Sequence, residues 1–184
     1  MLTDNPYLAS LSGKPAISIE MVCLGNICRS PLAAAVLHTK TLAMRSPVFT
    51  VSSSGTSNYH IGEGAHKLSV NTWQNAGYEY DHTARQFSRK SFAEQDLILA
   101  MDLTNRAVIL NAAHSEEERA KVFMLRQFDP VLSHINPTSR EGELLQVPDP
   151  WGEPIDSYEN VLAMVERAVD GLLARLTPHE SGSA

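Results

Sequence analysis

Cys23 and Arg29 are separated by five residues in the run Cys23-Leu24-Gly25-Asn26-Ile27-Cys28-Arg29-Ser30. A loop of that length can wrap a tetrahedral oxyanion, with its backbone N–H groups turned inward as a nest. Arg29 offers a planar fork that matches two anion oxygens at once, which a lysine does less well. Gly25 and Asn26 both tolerate the left-handed backbone such a curl requires. Cys23 shares the same positive field. A free thiol titrates near about 8.5, and a helix N-terminus with a neighbouring cation lowers that value, so Cys23 is expected to be a thiolate at neutral pH. A thiolate beside a bound phosphoryl group is a nucleophile poised for covalent catalysis. The Ser30 hydroxyl is placed to donate a hydrogen bond to that sulfur.

The flanking segments must hold this loop. Ala16–Val22 (AISIEMV) is a β-rich apolar run and predicts a buried strand leading directly into it. Ser30-Pro31 and PLAAAVLHTKTLAM predict the helix that follows, with Ser30 as N-cap and Pro31 in the first turn, so that the positive helix end faces the loop. Further strands are predicted at Phe49–Val51, running on through Ser52 to Gly55, at Asp96–Met101, and at Val122–Leu125. Helices are predicted over 65–76, 102–113 and 157–176, with a Pro-rich polar loop over 128–154. Strands alternating with helices predict an α/β fold: a single domain, a four-stranded parallel sheet flanked by helices, and the phosphate-binding loop after strand 1. Ligands of such sheets bind at the carboxyl ends of the strands. Residues 1–15 read as a flexible N-terminal extension, 16–176 as the domain, and 177–184 as a C-terminal tail.

Composition narrows the function classes. The chain has 184 residues, enough for one domain with a core that needs no disulfides or metals. A net charge of −6 argues against a nucleic-acid partner. The N-terminus lacks a secretory signal and no apolar run is long enough to span a bilayer, so a cytoplasmic protein without a membrane partner is expected. Two cysteines are too few for a disulfide framework. His38, His60, His66, His114, His134 and His179 show no metal-ligand spacing with them, so no metal and no cofactor is expected.

The string VCLGNICRSP resembles the signature loop of the low molecular weight protein tyrosine phosphatases. The resemblance extends from about Ile17 to Leu176, through SSGTSNYHIGEGA (53–65), HTARQ (82–86), LAMD (99–102) and VPDPW (147–151). It implies hydrolysis of phosphotyrosine in proteins through a phosphocysteine on Cys23, with Leu24, Gly25, Asn26, Ile27, Cys28, Arg29 and Ser30 as the phosphate loop. An aryl leaving group also needs a proton donor. The resemblance assigns it to Asp149, in Pro148-Asp149-Pro150-Trp151. It further implies that Ser53 and His82 brace Asn26, and that Tyr59 and Trp151 are aromatic walls around the substrate ring. The family commonly carries Trp where Tyr59 stands and Tyr where Trp151 stands, and Gly152 replaces a second tyrosine that is frequent there. Asp102 reads as a helix N-cap or an ion-pair partner. Cys28 reads either as a small packing residue or as the thiol that captures oxidised Cys23 in a reversible disulfide. The expected partner is a phosphotyrosine protein, and the expected state a monomer or weak dimer. An arsenate reductase of the same fold using an external thiol, and a non-catalytic phosphotyrosine-binding module, are the alternative readings. The trio Cys23, Arg29 and Asp149 favours the phosphatase.

Overall fold

The computed structural model describes residues 2–177, apart from the side chain of Thr3, so the expected C-terminal tail lies, beyond Thr177, outside the described residues. In chain order the elements are α1 (Pro6–Leu11), β1 (Ala16–Cys23), α2 (Arg29–Thr41), β2 (Val48–Gly55), α3 (Lys67–Asn75), α4 (Ser91–Glu94), β3 (Leu97–Ala100), α5 (Leu103–Ala112), α6 (Glu116–Ala120), β4 (Val122–Met124) and α7 (Ile155–Leu176). The four strands form one parallel sheet in the order β2-β1-β3-β4, the architecture the alternating pattern predicts.

β1 is buried on both faces, which is why its sequence reads as a nearly continuous apolar run. Strand alternation divides it. Ile17, Ile19, Met21 and Cys23 face the core built with α1, α2 and α7, whereas Val22 joins a second cluster with Ile98, Ala100 and Ile109 towards α5. α2 is buried along most of its length by its small side chains Ala33, Ala34 and Ala35, so it lies close against the sheet with its N-terminus at the exit of β1. Among the described residues no helix is long and apolar enough to cross a membrane.

Residues 2–15 depart from the expected loose extension. Asn5 Oδ1 accepts from the N–H of Leu8 at 3.0 Å, and Pro6 occupies the first turn of α1. Pro6 therefore starts a helix here rather than interrupting one. Leu8 and Leu11, one turn apart, are buried in the main core, and the Tyr7 hydroxyl donates to the Asp96 carbonyl at 2.6 Å. Leu8→Ala is expected to lower the unfolding free energy by about 2–4 kcal/mol, while the exposed Ser10→Ala changes it little. Urea midpoints of the two variants check this.

The long polar stretch before α7 also carries more order than its composition predicts. Leu125–Phe128 and Arg140–Leu145 are 3-10 turns, and Leu145 and Val147 are buried. The Val147 N–H donates to the Met101 carbonyl at 2.8 Å, which ties the segment to the end of β3. This tie delivers Asp149 to the carboxyl edge of the sheet.

Candidate active site

β1 ends at Cys23, and the chain curls through Leu24–Cys28 into α2. Two local expectations need correction. Ser30 does not cap the helix: α2 begins at Arg29, Cys28 occupies the N-cap position without a side-chain cap, and the Leu32 N–H donates to the Cys28 carbonyl. The curl is therefore tighter than expected, and it turns the Ser30 hydroxyl towards Cys23 instead. Of Gly25 and Asn26, only Asn26 takes the left-handed conformation, at φ 57°. Gly25 serves the approach of His60, whose ring would lie 3.1 Å from a Cβ at that position.

The Cys23 sulfur accepts from the Asn26 N–H at 3.3 Å and lies 3.0 Å from Ser30 Oγ. Among the described residues no group accepts from the N–H of Gly25, Ile27, Cys28, Arg29 or Ser30. These donors and the N-terminal end of α2 lie in the same curl, an arrangement that suits an anion.

Arg29 is buried and links the three parts of the site. Its Nη1 donates to Asp102 Oδ2 at 2.7 Å and to the Val147 carbonyl at 3.2 Å, and its Nη2 to Asp149 Oδ2 at 3.0 Å. Burial disfavours its charge, but Cys23, Asp149 and Asp102 outweigh that and raise its pKa, so the guanidinium stays protonated. Asp102 fills both roles the sequence left open, because its Oδ1 caps α5 by accepting from the Asn105 N–H at 2.7 Å.

The bracing network also forms. Asn26 Nδ2 donates to Ser30 Oγ and Ser53 Oγ, both at 2.9 Å, and His82 Nε2 donates to the Asn26 carbonyl at 2.6 Å. Burial lowers the His82 pKa, against the pull of that carbonyl, so the ring is neutral with its proton on Nε2. In the unfolded chain His82 takes up its proton near about 6.5. Its contribution to stability is thus complete above that pH and is lost as the pH falls through the lower folded value. The unfolding free energy is expected to drop below pH 6.5, and His82→Gln to flatten that drop, as read by urea midpoints across the range.

A cavity of about 250 Å³ is lined by Cys23, Leu24, Ile27, Arg29 and Asp149. Tyr59 and Trp151 also line it and are largely exposed. Cys28 also borders this space, but its Sγ lies 3.8 Å from the Tyr158 hydroxyl, and burial pushes its thiol up to about 12, against the pull of that hydroxyl. Cys28 is therefore a neutral thiol at physiological pH, and both cysteines are free.

Three contributors were not apparent from the sequence. His60 lines the cavity with Nδ1 on Glu63 Oε2 at 2.9 Å. Tyr158 reaches Cys28 from α7 and meets His66 Nδ1 at 3.1 Å. Gly55, at the end of β2, has no room for a side chain: a Cβ there would lie 2.6 Å from the Leu24 carbonyl and 3.0 Å from the Asn26 nitrogen. Gly55→Ala must displace loop backbone. It is expected to cost about tenfold in catalytic efficiency with the fold retained, measured as kcat/KM alongside a melting curve.

Comparison with known proteins bears on this geometry. The family model described as low molecular weight phosphotyrosine protein phosphatase matches residues 18–181. A low molecular weight protein-tyrosine-phosphatase of Streptomyces coelicolor is 38% identical over 164 residues, covering 89% of this chain and 95% of the relative. Low molecular weight protein-tyrosine phosphatase A of Mycobacterium tuberculosis is 35% identical, covering 85% and 89%. Among solved structures, a protein tyrosine phosphatase of Entamoeba histolytica superimposes with a TM-score of 0.74 at 29% identity, covering 87% and 96%. An arginine phosphatase of Geobacillus stearothermophilus gives 0.72 at 28% identity, covering 87% and 92%.

Proposed function

Because the chain belongs to the low molecular weight phosphotyrosine protein phosphatase family and is a hydrolase of phosphotyrosine, we propose that it works through a phosphocysteine on Cys23, with Asp149 carrying the proton. The observation that supports this most directly is Arg29. It joins the loop around Cys23 to the Asp149 carboxylate within one cavity, although the two lie 120 residues apart in the chain.

The first step forms the S–P bond and breaks the P–O bond to the aryl oxygen, while Asp149 gives its proton to that oxygen. In the second step Asp149 takes a proton from water as the water oxygen attacks phosphorus. The S–P bond breaks, inorganic phosphate leaves and the Cys23 thiolate is regenerated. Arg29 and the loop N–H groups hold the equatorial oxygens in both steps, where most of the rate enhancement arises. Ser30 and the Asn26 N–H support the sulfur as nucleophile and again as leaving group.

Tyr59 and Trp151 set the depth of the pocket. A phenyl ring spans the distance from the mouth to the loop with contact on both faces, whereas a phosphoserine side chain is too short to bring its phosphate to Cys23 from the same backbone position. The test is rapid quench with phosphotyrosyl peptide followed by mass spectrometry, run beside phosphoseryl and phosphoarginyl peptides and arsenate. Phosphate on the Cys23 peptide, with the phosphotyrosyl peptide turned over fastest, is the expected result. Turnover without phosphorylated Cys23 sinks the mechanism, and preference for another substrate sinks the specificity.

A further inference from the structure

Glu20 is the anomaly of β1. It is fully buried in the central region of the sheet, with Oε1 2.6 Å from Arg85 Nη2 and with no partner for Oε2. Strand alternation turns it to the face opposite Cys23, beside Val22 and in register with Ser52 of β2, whose buried hydroxyl is also unpartnered. A buried carboxylate with one ion-pair partner gains little net stability over an apolar side chain of similar size. Fold stability alone therefore gives no reason for it.

We propose that Glu20 is a positioning residue for the phosphate loop, acting through Arg85 on the amide of Asn26. The inference rests on Cys23 as nucleophile. Arg85 is clamped from three sides: its Nη2 on Glu20, its Nε on the Ser53 carbonyl at 3.0 Å, and its own carbonyl on the Gly55 N–H at 2.9 Å. So held, its backbone N–H points at Asn26 Oδ1 at 2.9 Å. That contact fixes the sense of the Asn26 amide, since a flipped amide would set two donors against each other. With Oδ1 committed to Arg85, both Nδ2 hydrogens go to Ser53 and Ser30. Ser30 Oγ, already accepting from Asn26, has one proton of its own, which the Cys23 sulfur at 3.0 Å and the Ser54 carbonyl at 3.3 Å both face, and a charged sulfur is the stronger acceptor. The carboxylate on one face of the sheet thus orients the hydroxyl that serves the sulfur on the other. Tyr80 is the other ionisable group beside the pair, and burial raises its pKa, which keeps it neutral.

Deleting Glu20 removes the buried charge itself and leaves Arg85, whose side chain is 46% exposed, to water, so the variant is expected to fold. The experiment compares wild type, Glu20→Leu, the near-isosteric Glu20→Gln, and Glu20→Leu/Ser52→Asp, which returns a carboxylate from the neighbouring strand. Each is read by melting temperature, by kcat on p-nitrophenyl phosphate and by the pH dependence of Cys23 alkylation with iodoacetate. Glu20→Leu and Glu20→Gln are expected to lose about tenfold in kcat. Their alkylation midpoints are expected to move upward by on the order of half a pH unit, which a purely structural role would not produce. The double variant is expected to recover most of the loss. If Glu20→Leu does not fold, Glu20→Gln carries the same readouts. Wild-type kcat and alkylation in Glu20→Gln overturn the proposal. So does a lower kcat with an unmoved alkylation profile, or a double variant as slow as Glu20→Leu. A wild type whose Cys23 is neither selectively alkylated nor needed for hydrolysis overturns the phosphocysteine reading instead.

Discussion

Cys23→Ser is expected to lower kcat/KM by at least about 10⁵-fold, close to 7 kcal/mol of transition-state stabilisation. The substitution is small in volume and the site is 2% exposed, with the Asn26 N–H and the Ser30 hydroxyl already arranged around the γ atom. An oxygen accepts the same two hydrogen bonds, so the fold and the anion nest persist. What disappears is the nucleophile. A serine hydroxyl is protonated at neutral pH, and the site provides no base to take the proton in the first step: His82 is committed through Nε2 to the Asn26 carbonyl, and in the proposed mechanism Asp149 enters that step already carrying the proton for the leaving group. Phosphate affinity should survive, because Arg29 and the free N–H groups are untouched. The measurement pairs steady-state kinetics with competition by inorganic phosphate or vanadate. Loss of turnover with binding retained is the expected result, and a serine variant within about tenfold of wild type would end the covalent mechanism.

The difference between what was legible in the sequence and what was not follows the range of the interactions. β1, β3 and β4 announce themselves as apolar runs because a parallel sheet buries both faces of a strand. The nest was legible because all its parts lie within nine residues, Cys23 to Pro31. α1 was not, because Pro6 serves equally as a helix breaker and a first-turn residue. Only the docking of Leu8 and Leu11 onto the core decides between them. Glu20 was visible as a charge inside an apolar strand, yet its partner Arg85 lies 65 residues away and is found only once the segment over 82–86 pairs beside Gly55 at the end of β2. Gly55 looks like any strand-ending glycine until the loop backbone is seen against it. Asp149 depends on the tie between Val147 and Met101, which no local pattern reveals.

Asp149→Asn is expected to lower kcat on a phosphotyrosyl peptide by about 10²–10³-fold, with KM nearly unchanged. In the structure Asp149 Oδ2 sits on Arg29 Nη2, while its Oδ1 accepts from the Trp151 N–H at 3.2 Å. A phosphoryl group in the nest takes the same guanidinium edge, since its oxygens and the carboxylate compete for the Nη2 donor. Asp149 is thereby released towards the aryl oxygen, and the prolines on either side limit how far it can travel. Asparagine keeps the shape and the turn to Trp151 but has no proton to give to a phenolate. The loss should therefore depend on the leaving group. It should be greatest for phosphotyrosine and much smaller for p-nitrophenyl phosphate, whose leaving group departs without help. Wild-type kcat/KM should be bell-shaped in pH, and its alkaline limb should vanish in Asp149→Asn, because that limb records the loss of the proton from the acid. A variant that slows both substrates equally and keeps the alkaline limb would show that the carboxylate only positions Arg29. In that case the proton donor must be sought among the other groups at the mouth, with His60 the first to replace.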